Sequence, residues 1–220
     1  MKKIPTLFKR VFSPDHKTKT ILPEVTPGCE AVLEGRCIPT VKWDGACCAI
    51  IDGEIYKRYD AKIGKGGKQK QPPEGAIPCQ PEPDPITGHW PHWVKCDPAN
   101  PADKYFFVAL ENFKNRIEED YFFRVYCRDN IIRTFEAIGP HWQSNPYHLD
   151  KDTLVRHGDD CLTSELGLMY DWTPTQVFES CQTYLREHEI EGIVFWLNDK
   201  PLCKIKRSDF GFPWPPKKGE

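Results

Sequence analysis

Two apolar runs on either side of Asp52-Gly53, in ACCAII-DG-EIYKRY, predict a β-hairpin. An Asp-Gly pair is typical of a type I′ turn, because both central residues of that turn need positive φ. Lys42 precedes the first strand of this hairpin and Arg58 lies near the end of the second, so we expect the two residues to be close in space. Gly45 interrupts the strand pattern, so alternation does not decide whether they share a face.

A second hairpin is predicted in EGIVFWLNDKPLCKIK, with its turn at Asn198-Asp199. Side chains alternate between the two faces of a strand, so Lys204 and Lys206 share one face. A turn of two to four residues places Glu191 or Ile193 opposite Lys206. A carboxylate and two lysines are therefore expected on one surface of the sheet. Charges on strands that are otherwise apolar are costly to bury unless a ligand or partner neutralises them.

A helix is predicted over TPTQVFESCQTYLREHEI. Thr173 is a typical N-cap, and a proline follows it in the first turn. Apolar residues then recur at helical spacing, at Val177, Cys181, Tyr184 and Leu185.

The remaining patterns are less regular. TLFKRVF predicts a strand and IIRTFEAIGP a strand that enters a turn, whereas KYFFVALENF and YFFRVYCR fit either strands or a mixture of strand and helix. Residues 72–103 are rich in proline, which is typical of a loop. Together the elements predict an α+β fold of antiparallel sheets with flanking helices.

The charge of the chain restricts how it could bind nucleic acid. Its 220 residues are 39% hydrophobic and carry a formal charge of −2, so a nucleic-acid ligand needs a local basic patch. The Gly-rich segment AKIGKGGKQK offers one, with Lys62, Lys65, Lys68 and Lys70. Such a charge run is typical of a mobile, solvated loop, and the alternative is a cationic flap that binds phosphates or RNA.

No apolar run has the length of a signal-peptide core or a transmembrane helix, which predicts an intracellular, cytoplasmic protein with no membrane partner. In that compartment the ten cysteines are expected to be reduced. Two hypotheses stay open for Cys79, His89, His92 and Cys96. Their residue types suit structural zinc, but their spacing matches no zinc-finger pattern and also fits an ordered loop without metal.

Five polar motifs occur in an order that resembles the covalent nucleotidyltransferases, the superfamily of polynucleotide ligases and mRNA capping enzymes. They are KWDG at 42–45, Arg58, FEAIGP around Glu136, EGIV at 191–194 and KIK at 204–206. IGPHWQSNPYHL, at 138–149, is similar to the Glu-x-x-Gly-Pro…Asn-Pro-Tyr-x-Leu segment of ATP-dependent RNA ligases. GHWPHWV and IPTVKWDGACC look like the 5′-to-3′ RNA ligases of animal cells and their viral and microbial relatives.

The resemblance runs from about residue 38 to the end of the chain and implies the nucleotidyltransferase fold of a ligase adenylation domain. It implies a single domain over 1–220, in which 38–210 form the motif-bearing core and 1–37 an N-terminal extension that packs on it. Fourteen residues follow Lys206, so no appended OB domain is expected. The enzyme is expected to be a monomer that acts in RNA repair.

By the same resemblance, Lys42 attacks the α-phosphate of ATP and holds AMP through a phosphoramidate. AMP then passes to an RNA 5′-phosphate, and a 3′-hydroxyl displaces it to seal the strand. Lysine is protonated at neutral pH, so a nucleophilic lysine needs neighbouring cations that favour its neutral form. The implied ATP or AMP contacts are Thr40, Val41, Arg58, Glu136, Trp142, Tyr147, Glu191, Lys204 and Lys206, and the implied ligands of Mg²⁺ or Mn²⁺ are Glu191 and Asp44.

Several of these assignments have alternatives. Asp44 either orients Lys42 or the metal, or satisfies backbone groups of a turn, as Asp before Gly commonly does. Trp142 or Tyr147 either stacks on adenine or packs in the protein. Val41 stands where several ligases place an acidic adenine contact, so adenine recognition is expected to use backbone groups or another side chain.

Two other functions are compatible with the motifs. A DNA ligase or a capping-type nucleotidyltransferase shares them, and the choice between ATP and GTP distinguishes the capping type. A noncatalytic nucleotide- or RNA-binding module shares the fold, although it does not need the nucleophile together with both lysines of KIK.

Overall fold

A computed structural model describes residues 4–14, 19–64, 68–118, 121–122, 125, 132–167 and 171–216. Backbone packing divides the chain into two compact units. The first unit is built on Asp44–Arg156, and the second combines Ile4–Trp43 with His157–Glu220. The boundary falls inside KWDG, so Lys42 belongs to the second unit and Asp44 to the first. The single domain expected from the sequence stays a prediction.

The elements are numbered along the chain. The strands are β1 (Phe8–Phe12), β2 (Lys19–Val25), β3 (Ile38–Lys42), β4 (Ala46–Ile51), β5 (Glu54–Lys62), β6 (Ile77–Pro78), β7 (His89–Lys95), β8 (Arg133–Ile138), β9 (Thr153–Arg156), β10 (Gly192–Leu197) and β11 (Lys200–Lys206). The α-helices are α1 (Lys104–Lys114), α2 (Thr163–Leu166) and α3 (Pro174–Glu187), and short 3₁₀ helices span Glu30–Val32, Pro101–Asp103 and Arg207–Asp209.

The first unit contains a six-stranded antiparallel sheet in the order β6-β7-β5-β4-β8-β9. The hairpin predicted at Asp52-Gly53 is confirmed: Ile51 pairs with Glu54, and the two turn residues have φ of 51° and 80°. The prediction of a loop over 72–103 is wrong, because β6 and β7 lie within it and β7 pairs with β5 along its whole length.

Helix α1 covers one face of this sheet and resolves the ambiguity of KYFFVALENF. Its buried residues follow the helical spacing, and they pack against strands β4, β5, β8 and β9 at Phe106, Ala109, Leu110 and Phe113. YFFRVYCR lies mostly outside the described residues. The strand predicted in IIRTFEAIGP is confirmed as β8.

The second unit packs α3 against a three-stranded antiparallel sheet in the order β11-β10-β3. The helix begins as predicted, with the Thr173 hydroxyl accepting a hydrogen bond from the Gln176 amide and the Gln176 side chain accepting one from the Thr173 amide. Cys203 and Ile205 are fully buried in the apolar core, which leaves Lys204 and Lys206 on the opposite face of β11, as alternation predicted.

The hairpin predicted at Asn198-Asp199 is also confirmed, with φ of 50° and 59° at the turn and Leu197 paired with Lys200. The predicted register is wrong by one residue. A bulge in β11 near Leu202 shifts the pairing, so Lys206 lies opposite Gly192 rather than Glu191 or Ile193.

At the level of fold class, the prediction is confirmed: the chain is α+β with antiparallel sheets and few helices. The nucleotidyltransferase fold itself stays a prediction. In the part of the chain that the structure describes, the helices are too short and too polar to cross a bilayer. The nine described cysteines are free thiols.

Candidate active site

The three strands of the second unit bring the predicted lysines together. Lys42 is the last residue of β3 and Lys206 the last residue of β11, and both pair with Gly192 at the start of the central strand β10. Lys42 precedes the first hairpin, as expected, and it ends a strand of its own. Two lysines therefore flank Gly192, and Glu191 directly precedes it.

Gly192 is required by this close approach of strands. A Cβ at this position would lie 2.3 Å from the carbonyl oxygen of Ile205 and 3.0 Å from the Cα of Lys206. Both atoms belong to the backbone of β11, so any side chain would push that strand away. The glycine of EGIV thus sets the distance between Glu191 and the strand that carries Lys206.

The carboxylate of Glu191 joins the two lysines. One of its oxygens forms an ion pair with the Lys42 ammonium and the other with the Lys206 ammonium. The Glu191 side chain is only 6% exposed, whereas the two lysine side chains are 21% and 31% exposed. Partial burial strengthens these attractions relative to ion pairs in open solvent.

Lys204 adds a third cation on the same face of β11. Burial first, and then the positive charges of Lys42 and Lys206, lower its pKa from the ordinary value of 10.5 to about 8. The Lys204 amine is therefore partly neutral near physiological pH. We refer to Lys42, Glu191, Lys204 and Lys206 as the lysine cluster.

The lysine cluster can act in two ways. Three amines around one carboxylate attract a polyanion such as a phosphate chain. An amine beside a carboxylate that can accept its proton is also a candidate nucleophile.

The neighbours of Lys42 in β3 have partners inside the second unit. The Thr40 hydroxyl accepts a hydrogen bond from the Trp196 indole at 2.9 Å and lies 3.4 Å from the carbonyl oxygen of Val194. The Val41 side chain packs on the apolar core, and its amide donates to the Asp160 carbonyl. These contacts fix the end of β3, and nucleotide contacts by Thr40 and Val41 stay a prediction.

In the first unit, three further predicted residues meet at the start of β4. The Asp44 amide donates to the Tyr147 hydroxyl at 2.6 Å, and the Gly45 amide donates to the Glu136 carboxylate at 3.1 Å. A Cβ on Gly45 would lie 2.1 Å from the Ala137 carbonyl oxygen. The Asp-Gly of KWDG is therefore held by side chains from the FEAIGP and NPYHL segments.

Trp142 and Arg58 also belong to the first unit. The Trp142 ring packs against Phe106, and its buried Nε1 has no hydrogen-bond partner among the described residues. Arg58 pairs with Asp60 at 2.8 Å. Because Lys42 and Glu191 belong to the second unit, the expected proximity of Arg58 to Lys42, and a cleft shared by Glu136 and Glu191, stay predictions.

Sequence reasoning missed a hydrogen-bonded pair in the first unit. His141 lies in the ligase-like segment, where no role was assigned to it, and its Nδ1 contacts the Asp152 carboxylate at 2.6 Å. The other Asp152 oxygen accepts the His141 amide, and the His141 ring stacks on Tyr105 with centroids 3.5 Å apart. Asp152 follows the motif without a recognisable spacing, so no sequence signal marked it.

The segment of four lysines is more ordered at its described ends than expected. Lys62 and Lys70 form an antiparallel bridge with two backbone hydrogen bonds of 2.9 Å. The Lys70 ammonium lies 4.0 Å from the centre of the Tyr59 ring, and Lys68 is exposed. Lys65 lies outside the described residues.

The described residues of the Cys/His cluster do not assemble a zinc site. Among Cys79, His89, His92 and Cys96, no three ligand atoms lie within 4.8 Å of one another, and His92 is buried with Nδ1 on the Trp90 carbonyl oxygen at 2.8 Å. Both Glu191 oxygens are engaged by ammonium groups. Asp44 belongs to the first unit and Glu191 to the second, so a site for Mg²⁺ or Mn²⁺ at these two residues stays a prediction.

No protein-family model matches the chain. It is similar to RNA ligase 1 of Pongo abelii, with 25% identity over 232 aligned positions that cover 81% of this chain and 68% of the relative. This similarity indicates a relationship to RNA ligases.

Proposed function

We propose that this protein is an ATP-dependent RNA ligase that works through a lysyl-AMP intermediate. The observation that carries the proposal is the lysine cluster, in which Lys42 and Lys206, at the ends of β3 and β11, pair with the buried Glu191 and Lys204 adds a third amine on the same face of β11. The similarity to an RNA ligase over most of the chain supports the same function. ATP with its divalent counter-ion, Mg²⁺ or Mn²⁺, is the proposed co-substrate.

In the proposed first step, the neutral amine of Lys42 attacks the α-phosphorus of ATP. A phosphorus–nitrogen bond forms, the bond to the bridging oxygen breaks, and pyrophosphate leaves. Glu191 is placed to accept the proton that the amine loses, since it already pairs with Lys42. Lys204 and Lys206 offset the negative charge that the phosphates bring to the site.

In the proposed later steps, the 5′-phosphate of an RNA takes AMP from Lys42 and becomes an RNA–adenylate. A 3′-hydroxyl then attacks the 5′-phosphorus, a phosphodiester bond forms, and AMP leaves. At the start of β4, Glu136 and Tyr147 are proposed to contact the nucleotide, and Asp44 is proposed to be a ligand of the divalent cation. The three residues already meet there. The proposed RNA contacts are the lysines of the 62–70 segment.

A sealing assay tests this function. The protein is incubated with a 5′-labelled, 5′-phosphorylated RNA that has a 3′-hydroxyl end, or with DNA of the same sequence, with Mg²⁺ or Mn²⁺ and either ATP or GTP. Formation of ligated or circular RNA with ATP, but not with GTP, supports the proposal. Joining of DNA but not RNA would assign a DNA ligase, and reaction with GTP alone a capping-type enzyme. RNA or ATP binding without any transfer would assign a noncatalytic module.

A further inference from the structure

The N-terminal segment pairs with the strand that carries the lysines. The Leu7 amide donates to the Lys204 carbonyl at 2.7 Å, and the Lys204 amide donates to the Pro5 carbonyl at 3.0 Å. Strand β10 pairs with the other edge of β11, so both edges of β11 are occupied at Lys204. Leu7 and Phe8 are fully buried, which anchors the segment in the core of the second unit.

Arg10, in β1, connects this segment to the end of β11. Its Nε and Nη2 donate to the same oxygen of Asp209, at 3.1 and 2.7 Å. The second oxygen of Asp209 accepts the backbone amide of Lys206 at 2.9 Å. The Asp209 side chain has no exposed surface, so its charge needs the guanidinium to offset the cost of burial.

The path from Arg10 to the lysine cluster is therefore continuous. The Arg10 guanidinium pairs with the Asp209 carboxylate, which accepts a hydrogen bond from the Lys206 amide. The Lys206 ammonium in turn pairs with Glu191, which also pairs with Lys42. Two donors on one carboxylate oxygen fix its direction, which a single lysine ammonium in place of Arg10 would do less well.

We infer that Arg10 is a positioning residue for the reaction at the lysine cluster, and that it acts through Asp209 on the backbone of Lys206. The catalytic part of this inference rests on the proposed function. Loss of Arg10 leaves the buried Asp209 carboxylate without its guanidinium partner and lets the end of β11 shift. A displacement of this kind slows a reaction that depends on oriented groups by about tenfold to a hundredfold.

The strand offers a matched control. Lys9 precedes Arg10, pairs with Glu24 at 3.0 Å and has a side chain that is 59% exposed. Lys9→Ala therefore removes a cation and an ion pair from the same strand without touching Asp209. Arg10→Lys keeps the charge but loses the two-donor geometry.

The test measures the rate of AMP–protein formation at saturating and limiting ATP for the wild type, Arg10→Ala, Arg10→Lys and Lys9→Ala, at a temperature where circular dichroism shows each to be folded. We expect Arg10→Ala to lose about tenfold or more at saturating ATP, Arg10→Lys to recover part of the loss, and Lys9→Ala to match the wild type. An Arg10→Ala rate equal to that of Lys9→Ala would overturn the inference.

A second readout does not depend on activity. Hydrogen exchange at the Lys206 amide is expected to accelerate about tenfold or more in Arg10→Ala and to stay unchanged in Lys9→Ala, since Asp209 protects that amide. If exchange at the Lys206 amide is faster but the reaction rate is unchanged, Arg10 only stabilises the end of β11, and its positioning role is overturned. If the wild type forms no AMP adduct, the proposed function fails, and unchanged exchange would then refute the link from Arg10 to Lys206 as well.

Discussion

Replacement of Lys204 by methionine should stabilise the protein at neutral pH. The lowering of the Lys204 pKa from 10.5 to about 8 means that the folded state disfavours the protonated amine. The difference corresponds to about 3 kcal/mol. Lys204 keeps some exposure, so solvent and salt screen part of this energy, and we expect Lys204→Met to gain about 1–2 kcal/mol in the free energy of unfolding at pH 7.

The gain should depend on pH in a defined direction. Below about pH 8 both states of the wild type carry the proton on Lys204, and the full penalty is present. Between about pH 8 and 10.5 the unfolded chain still binds this proton while the folded protein releases it, so wild-type stability rises relative to the variant. Above that range the advantage of methionine is lost, apart from changes in apolar packing.

Urea unfolding at pH 7 and at pH 10 measures this effect. Lys200→Met is the matched control, because Lys200 is exposed and lies in the same strand. We expect the difference between Lys204→Met and the wild type to shrink by about 1 kcal/mol or more over this pH range, and that of Lys200→Met to stay constant. If the stability difference between Lys204→Met and the wild type does not change with pH, burial and the neighbouring positive charges do not lower the pKa of this amine, and the argument is refuted.

Three further predictions concern the cluster and the RNA contacts. Glu191→Gln leaves two partly buried ammonium groups without their carboxylate and should cost about 2–4 kcal/mol by urea unfolding at pH 7, against no measurable cost for the exposed control Glu189→Gln. Equal losses in the free energy of unfolding for Glu191→Gln and Glu189→Gln would argue against stabilisation by the two ion pairs. Gly192→Ala should cost about 1–3 kcal/mol because its Cβ meets backbone 2.3 Å away, and wild-type stability in that variant would contradict the geometry. Replacement of all four lysines of the 62–70 segment by alanine should weaken RNA binding and reduce its salt dependence while sparing AMP–protein formation; an unchanged salt slope would remove these lysines from the RNA contact.

Local turn chemistry made the two hairpins predictable from the sequence. Asp52-Gly53 and Asn198-Asp199 adopt positive φ, and few residues other than Asn, Asp and Gly do so readily. The register of the second hairpin was not predictable from the turn alone. A two-residue turn without a bulge pairs Glu191 with Lys206, and one extra residue in β11 moves Gly192 into that place.

The proline content of residues 72–103 is the reason for the wrong prediction of a loop there. Pro91 lies inside β7, where it cannot donate a hydrogen bond, yet its carbonyl accepts the Cys79 amide at 2.9 Å. The neighbouring strand β6 has only two residues, so few backbone donors are needed there. The burial of Trp93 then favours a strand that the composition alone does not indicate.

The residues of the lysine cluster could be predicted from the sequence, but the contacts that position them could not. Lys204 and Lys206 follow from alternation in β11, and Lys42 and Glu191 from the resemblance. Arg10 lies 199 positions from Asp209 in the sequence, and no periodicity or local motif relates residues so distant. Contacts of this kind depend on how the elements pack, which a single sequence does not state.

The most direct test of the account is to locate AMP on the protein. The chain is incubated with ATP and Mg²⁺, digested, and its peptides are analysed by mass spectrometry, with GTP and a Lys42→Ala variant as controls. We expect one AMP on the peptide that contains Lys42, and none with GTP or in the variant. AMP on Lys204 or Lys206 would contradict the assignment of the nucleophile, and a folded protein that forms no adduct with ATP and either Mg²⁺ or Mn²⁺ would contradict the lysyl-AMP mechanism itself.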